Sequence, residues 1–271
     1  MTGMEREPPR KTDEVLSWTN NGVGWVSMNR PQAGNAGTPA MMESLCAHLD
    51  VMIQDETVRA IVLTGEGRHF LAGGDFGFLQ EIARGEVDAE REIYRWFQGA
   101  AKRLFQCAKP TIAAIAGGAI TVGCELSLSC DIRIAARRAF FQESWLDVSL
   151  IPPLGGALLL PRIVGLGLAK EMILDCRRVG AEEALEKGLI CELADDVASL
   201  RETAQARAER MASRPAGAFG RAKELLHSGL QSTISEAWET GLKAQALSLR
   251  SQEFRNAIAA KDPRGKRDKD S

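Results

Sequence analysis

Apolar positions along the chain follow two spacings. Val15–Asn29 alternates on either side of Asn20-Asn21-Gly22 and predicts a two-stranded hairpin. Pro39–Ile53 puts Met42, Leu45, Leu49 and Met52 on one face and predicts a helix. Ala60–Leu63 is a short buried strand, Thr64–Gly67 a turn, and Phe70-Leu71-Ala72 an apolar run that meets a glycine pair. Helical spacing returns over Ala89–Gln106. Thr111–Ala116, apolar and β-branched between Pro110 and Gly117-Gly118, predicts another buried strand. Cys124–Cys130 follows Thr121-Val122-Gly123 and is apolar but for Glu125 and two serines. After about Asp196 the pattern is helical and polar. Leu200–Ala212 forms one amphipathic stretch, Arg214-Pro215 breaks it, and Ala216–Ser228 and Thr233–Leu249 continue.

A strand, a glycine turn and a helix in that order set a helix N-terminus against whatever occupies the turn. That terminus carries unpaired N–H groups and a partial positive charge, and so suits an anion or a developing oxyanion. Glu125 falls in the first turn of this helix. It reads either as a charge favourable to the helix dipole or as a catalytic acid; its apolar surroundings weigh toward the second, because burying a carboxyl is costly.

Composition narrows the classes. At 271 residues with 45% hydrophobic content the chain can bury one large domain, with or without a small appendage. A formal charge of −2 implies no nucleic-acid or membrane-surface partner, and a single tyrosine, Tyr94, offers little for base stacking. Cysteines 46, 107, 124, 130, 176 and 191 stand singly without CxxC spacing, so no metal is expected and buried thiols in a reducing cytoplasm are. Residues 1–13 are charged, contain proline and lack the apolar stretch of a secretory signal; they read as a mobile segment, as does the charged tail 261–271. No run is long and apolar enough to span a bilayer.

The stretch from Lys109 to Ala136 resembles the crotonase (enoyl-CoA hydratase/isomerase) signature KPxIAAxxGxAxGGGxELALxCDxRIA. Met28-Asn29-Arg30-Pro31 with Asn35-Ala36 resembles LNRPxxxNA, and Phe70–Asp75 resembles FxAGxD. Leu160–Gly165 and Ala181–Leu189 resemble later helices of the family. The match runs in order and register from about Val15 to Leu193, far more specific than any one motif. It implies an α/β fold (α+β by some schemes): a spiral of ββα repeats over residues 14–196, then a C-terminal helical region, 197–260, that builds trimers, often stacked as hexamers. A helix resting on its own subunit is the competing reading of that region.

The same resemblance implies a substrate, an acyl-CoA thioester, with coenzyme A part of the substrate and no separate cofactor. It puts the thioester oxygen between the backbone N–H groups of Gly74 and Val122, with Asp75, Phe76 and Gly77 along the acyl pocket. Backbone groups near Gln32, Ala33, Asn35 and Ala72–Gly74 would meet the adenine and pantetheine. Glu125 matches the first of two acid/base glutamates. The second falls on Trp145, whose indole can pack or donate one N–H but cannot accept a proton. Glu143 and Asp147, two residues to either side, would share a face with Trp145 if the segment were a strand. Glu143 reads as a surface or helix-terminus charge or as a substitute base, and Asp147 as a second candidate base, at a place where some dienoyl-CoA isomerases of the family carry Asp-Val.

Three further departures bear on the acyl site. Val122 replaces a glycine, which restricts the turn if its φ is positive. Pro153 stands in Ile151–Gly156 where the family has glycine, and Ala157–Leu160 makes the adjoining wall apolar. Hydration, isomerisation and decarboxylation stay open, beside a divergent acyl-CoA binding protein and a β-diketone hydrolase. His48, His69 and His227 carry no catalytic motif.

Overall fold

The computed structural model describes residues 13–261; the segments 1–12 and 262–271 lie outside the described residues. Among the described residues ten strands form two sheets. The larger has the order β1 (Val15–Asn20), β2 (Val23–Met28), β3 (Ala60–Gly65), β5 (Thr111–Ile115), β7 (Ile132–Ala136) and β10 (Glu192–Ala194). The smaller has the order β4 (Leu71–Ala72), β6 (Gly118–Ile120), β8 (Phe140–Gln142) and β9 (Val179–Gly180). Among the described residues only the pairs β1–β2 and β8–β9 are antiparallel. Three successive units, β3/β4, β5/β6 and β7/β8, each send the first strand to the large sheet and the second to the small one. Helices join them: α1 (Pro39–Gln54), α2 (Phe76–Ala83), α3 (Ala89–Glu92), α4 (Gln98–Gln106), α5 (Val122–Leu128) and α6 (Gly156–Leu174). This is the predicted ββα spiral.

Local chemistry accounts for the boundaries. The hairpin turn uses Asn21 and Gly22, both at positive φ, as a tight type I′ connection requires. Thr38 caps α1 by accepting from the Met41 N–H, with Pro39 at the first helical position, where its missing N–H costs nothing. The helix predicted over Ala89–Gln106 is present, but its middle, Ile93–Phe97, widens into a π-helical turn between α3 and α4.

Period-two alternation sorts the large sheet's side chains onto two faces. Ile61, Leu63, Ala113 and Ile115 join the main core with α1 and α5. Val62, Ile112, Ala114 and Ile134 point the other way. That second face is covered by α8 (Val197–Ala212), through Leu200, Ala204 and Ala208, four residues apart. Two alanines let the helix lie close to the strands, and burying Leu200 contributes about 1.5–3 kcal/mol. So α8 rests on its own sheet, after the short α7 (Ala181–Glu186). Next, α9 (Ala216–Gly229) docks through Lys223, whose ammonium pairs with Asp131 at 2.9 Å. By contrast α10 (Ile234–Leu249) and α11 (Gln252–Lys261) leave Trp238, Leu242, Leu247 and Ile258 exposed. No helix among the described residues is long and apolar enough to cross a membrane.

Candidate active site

The site is assembled where the two sheets hand the chain to α5. Thr121 precedes that helix with φ 45° and ψ −105°, a strained conformation for a β-branched residue, held by its N–H bonding to Gln142 O at 2.8 Å. The strain expected at Val122 therefore falls one residue earlier, and Val122 is the first residue of the helix proper. Its N–H has no acceptor within the helix. Gly123 is required for a different reason: a Cβ there would collide with the Leu71 carbonyl of β4. Every residue of α5 is buried, Glu125 included.

The second amide is set by three hydrogen bonds that zip the loop after β2 to the end of β4. Ala72 N–H donates to Gly34 O, Gly37 N–H to Gly73 O, and Asp75 N–H to Gly37 O. The C=O and N–H of one trans peptide point in opposite directions, so with Gly73 O facing this zipper the Gly74 N–H lies on the opposite side. Asp75 then caps α2 by accepting from the Gly77 and Phe78 N–H groups, and its other oxygen pairs with Arg30 at 3.2 Å. Asn35 is buried beneath: its amide donates to the carbonyls of Glu66 and His69, and its oxygen accepts from the Arg30 N–H. Its side chain is thus a structural lock, while Gln32 is exposed and Ala33 half-buried on a short 3-10 turn.

Gly74 and Val122 line one cavity of about 400 Å3. Its other walls are mostly apolar: Phe76, Leu79 and Ile82 from α2, Ile93 from the π turn, and Trp145, Val148 and Leu150 beyond β8. Phe78 and Phe97, also in the wall, stack with ring centroids 5.9 Å apart. Glu125 itself does not line the cavity. Its carboxyl lies behind Leu154 and Trp145, which do.

That carboxyl is held by the loop carrying the Pro153 departure. Oε2 accepts from the Leu154 N–H at 2.9 Å and from the Gly156 N–H at 2.6 Å. Gln98 pins the same loop by donating to Pro153 O at 2.8 Å. Oε1 has no hydrogen-bond partner among the described residues. Burial pushes the Glu125 pKa up to about 7, opposed by the Gly156 and Leu154 N–H groups and by the Trp145 indole. A carboxyl in that range takes and gives protons near neutral pH.

Beyond β8 the chain turns into a 3-10 segment, Ser144–Val148. The strand face that would have joined residues 143, 145 and 147 does not exist, because a turn of three residues distributes them around an axis. Glu143 is fully buried, Trp145 is 7% exposed, and Asp147 is exposed and lies against Cys176. Glu143 Oε2 accepts from the Trp145 Nε1–H at 2.8 Å. Burial, and next the charge on Glu125, hold its pKa well above the carboxylate range. Of the histidines, His69 accepts from the Gly118 N–H, His48 shares a hydrogen bond with Ser17, and His227 stacks on Phe105; none lines the cavity.

A family model described as enoyl-CoA hydratase/isomerase matches residues 18–264. The chain belongs to that family. It is 33% identical over 247 residues to the 1,2-epoxyphenylacetyl-CoA isomerase of Escherichia coli, covering 91% of this chain and 94% of that one. It is 35% identical to the mitochondrial enoyl-CoA hydratase of Pongo abelii, over 80% of this chain and 73% of the other. Among solved structures, an enoyl-CoA hydratase from Bacillus anthracis superposes with a TM-score of 0.85 at 30% identity, covering 92% of this chain and 96% of that one. The spiral of strand pairs is therefore the family's fold, as its motifs implied.

Within this family member the structure brings Gly74, Val122, Phe76 and Trp145 to one cavity, with Glu125 directly behind its wall. It leaves Asp147 outside. Sequence reasoning missed Leu154 and Gly156 as partners of Glu125, although Gly155-Gly156 signalled a close approach. It also missed Phe78, Leu79, Ile93 and Phe97. Their signal was an excess of apolar residues in α2 and the π turn beyond what one core-facing stripe needs.

Proposed function

We propose that this protein is an acyl-CoA isomerase that moves a single proton between two carbons of an apolar acyl group through an enolate. The reading rests on one observation: Glu125 is the carboxyl directly behind the cavity wall, and the other buried carboxyl nearby, Glu143, is tied to the indole of Trp145. The thioester oxygen would accept from the N–H groups of Gly74 and Val122. Ionised Glu125 takes a proton from the carbon next to the thioester, the electron pair moves onto the oxygen, and the same carboxyl returns the proton elsewhere on the conjugated system. With Oε2 held by two amides, Oε1 is the oxygen that carries it. Each amide stabilises the enolate more than the neutral ester, and one such donor is worth about 2.7–4 kcal/mol. The apolar wall favours a bulky hydrophobic acyl group, and a relative that isomerises an epoxyphenylacetyl thioester supports that choice.

The test is exchange in deuterated water, read by mass spectrometry across a panel of acyl-CoA esters. Deuterium should enter beside the thioester, and Glu125→Gln should slow entry by about a hundredfold or more. Gain of water instead would make the protein a hydratase, and loss of carbon dioxide a decarboxylase. Binding without exchange would make it an acyl-CoA binding protein. No binding of coenzyme A in a calorimetric titration would turn the reading to a β-diketone hydrolase.

A further inference from the structure

Glu143 has no step in that proton path, yet it is completely buried. A carboxyl so placed is expensive, and an apolar side chain could fill the same space. Its backbone position is fixed by the register Ile120–Gln142 and by the Thr121 N–H on Gln142 O, next to the turn that presents Val122. Its carboxyl lies beside the Cys124 thiol and accepts from the Trp145 Nε1–H, and Trp145 is part of the cavity wall in front of Glu125. The carboxyl is therefore spent on holding the indole.

We propose that Glu143 is a positioning residue: its oxygen fixes the Trp145 ring as the cavity wall beside Glu125 and so sets where the reacting carbons lie relative to that acid. This rests on the reading of Glu125 given above. The groups facing Glu143 are Glu125 and the Cys124 thiol on α5 and the indole N–H on its own turn. Arg133, the cation that bears on the neighbouring Cys124 thiol, donates instead to the carbonyls of Leu189, Ser127 and Cys130. With no cation to meet it, the dry pair carries at most one charge, and the two amide donors draw that charge to Glu125. Glu143 stays neutral and accepts through a carbonyl oxygen, a task glutamine performs equally and leucine cannot.

The experiment compares the full chain with Glu143→Gln, Glu143→Leu and Trp145→Phe. One readout is the 15N–1H resonance of the Trp145 indole, identified as the signal that Trp145→Phe removes. The other is the rate of α-proton exchange against pH and substrate concentration. Glu143→Gln should leave the resonance, the maximal rate and the pH midpoint close to those of the unaltered chain. Glu143→Leu should move the resonance and lower the maximal rate by about tenfold to a hundredfold. Should Glu143→Leu fail to fold, Trp145→Phe should show the same loss in rate, and full exchange in that variant would overturn the proposal. So would a Glu143→Gln chain as inactive as Glu125→Gln, which would make Glu143 a proton carrier, or a Glu143→Leu chain with an unmoved resonance. If the unaltered protein exchanges no proton, the functional reading fails, while the resonance still decides whether Glu143 holds the indole.

Discussion

Gly156→Ala tests the coupling between Glu125 and its loop. A Cβ at residue 156 would stand 2.7 Å from Glu125 Cγ, 2.8 Å from Oε2 and 2.9 Å from Cδ, all inside the closest distance real side chains tolerate. The carboxyl must swing away and give up the 2.6 Å bond from the residue 156 N–H. That bond favours the ionised form, and a hydrogen bond to a charged group is worth about 1.5–3 kcal/mol. Converted at about 1.36 kcal/mol per pH unit, the Glu125 midpoint should rise from about 7 by about one to two units. At neutral pH the fraction of ionised Glu125 then falls from about half to between about a tenth and a hundredth, roughly fivefold to fiftyfold, and proton abstraction with it. The assay is the pH profile of α-proton exchange. The rate in Gly156→Ala should drop at pH 7 and recover as the pH is raised, whereas Glu125→Gln should not recover. An unchanged midpoint in a folded Gly156→Ala chain would refute the assignment of Glu125 as the titrating base.

Three further outcomes follow from the same geometry. The Glu125 pKa is raised in the folded chain from 4.5 to about 7, so the folded state holds a proton that the unfolded state releases. Its contribution, about 3 kcal/mol, should be fully present below pH 4.5 and lost as the pH rises to about 7, and Glu125→Gln should flatten that slope in urea unfolding. Lys223→Met should destabilise the chain by about 3–5 kcal/mol, because Asp131, which also accepts from the Thr111 N–H, is left without its cation; limited proteolysis should then cut first around α9. Trp145→Glu alone should add a third carboxyl to the Glu125–Glu143 cluster and destabilise it. The double variant Trp145→Glu with Glu143→Gln avoids that crowding and should add water to a short enoyl-CoA ester, followed by loss of the conjugated thioester absorbance; no addition by a folded double variant would show that Trp145 is not what blocks hydration.

Much of this protein is written in local spacing. Unbroken apolar runs over Ala60–Leu63 and Thr111–Ala116 specify strands buried on both faces, and the turn ending at Gly123 before Cys124–Cys130 specifies a helix start with Glu125 in its first turn. These depend on contacts within a few residues, so order along the chain suffices to read them. What tertiary structure decided are meetings across distance. Leu154 and Gly156 reach Glu125 from some thirty residues away and lower its proton affinity only because a folded loop brings two amides to one oxygen. Glu143 and Asp147 look alike in sequence, two positions either side of Trp145. A 3-10 turn in place of a strand buries the first and exposes the second. The polar helix α8 likewise reads as one more C-terminal helix until the uncovered face of the large sheet claims its alanines. Side-chain identity states which groups can hold a charge; only the fold states which of them lose their water, and that loss sets their chemistry.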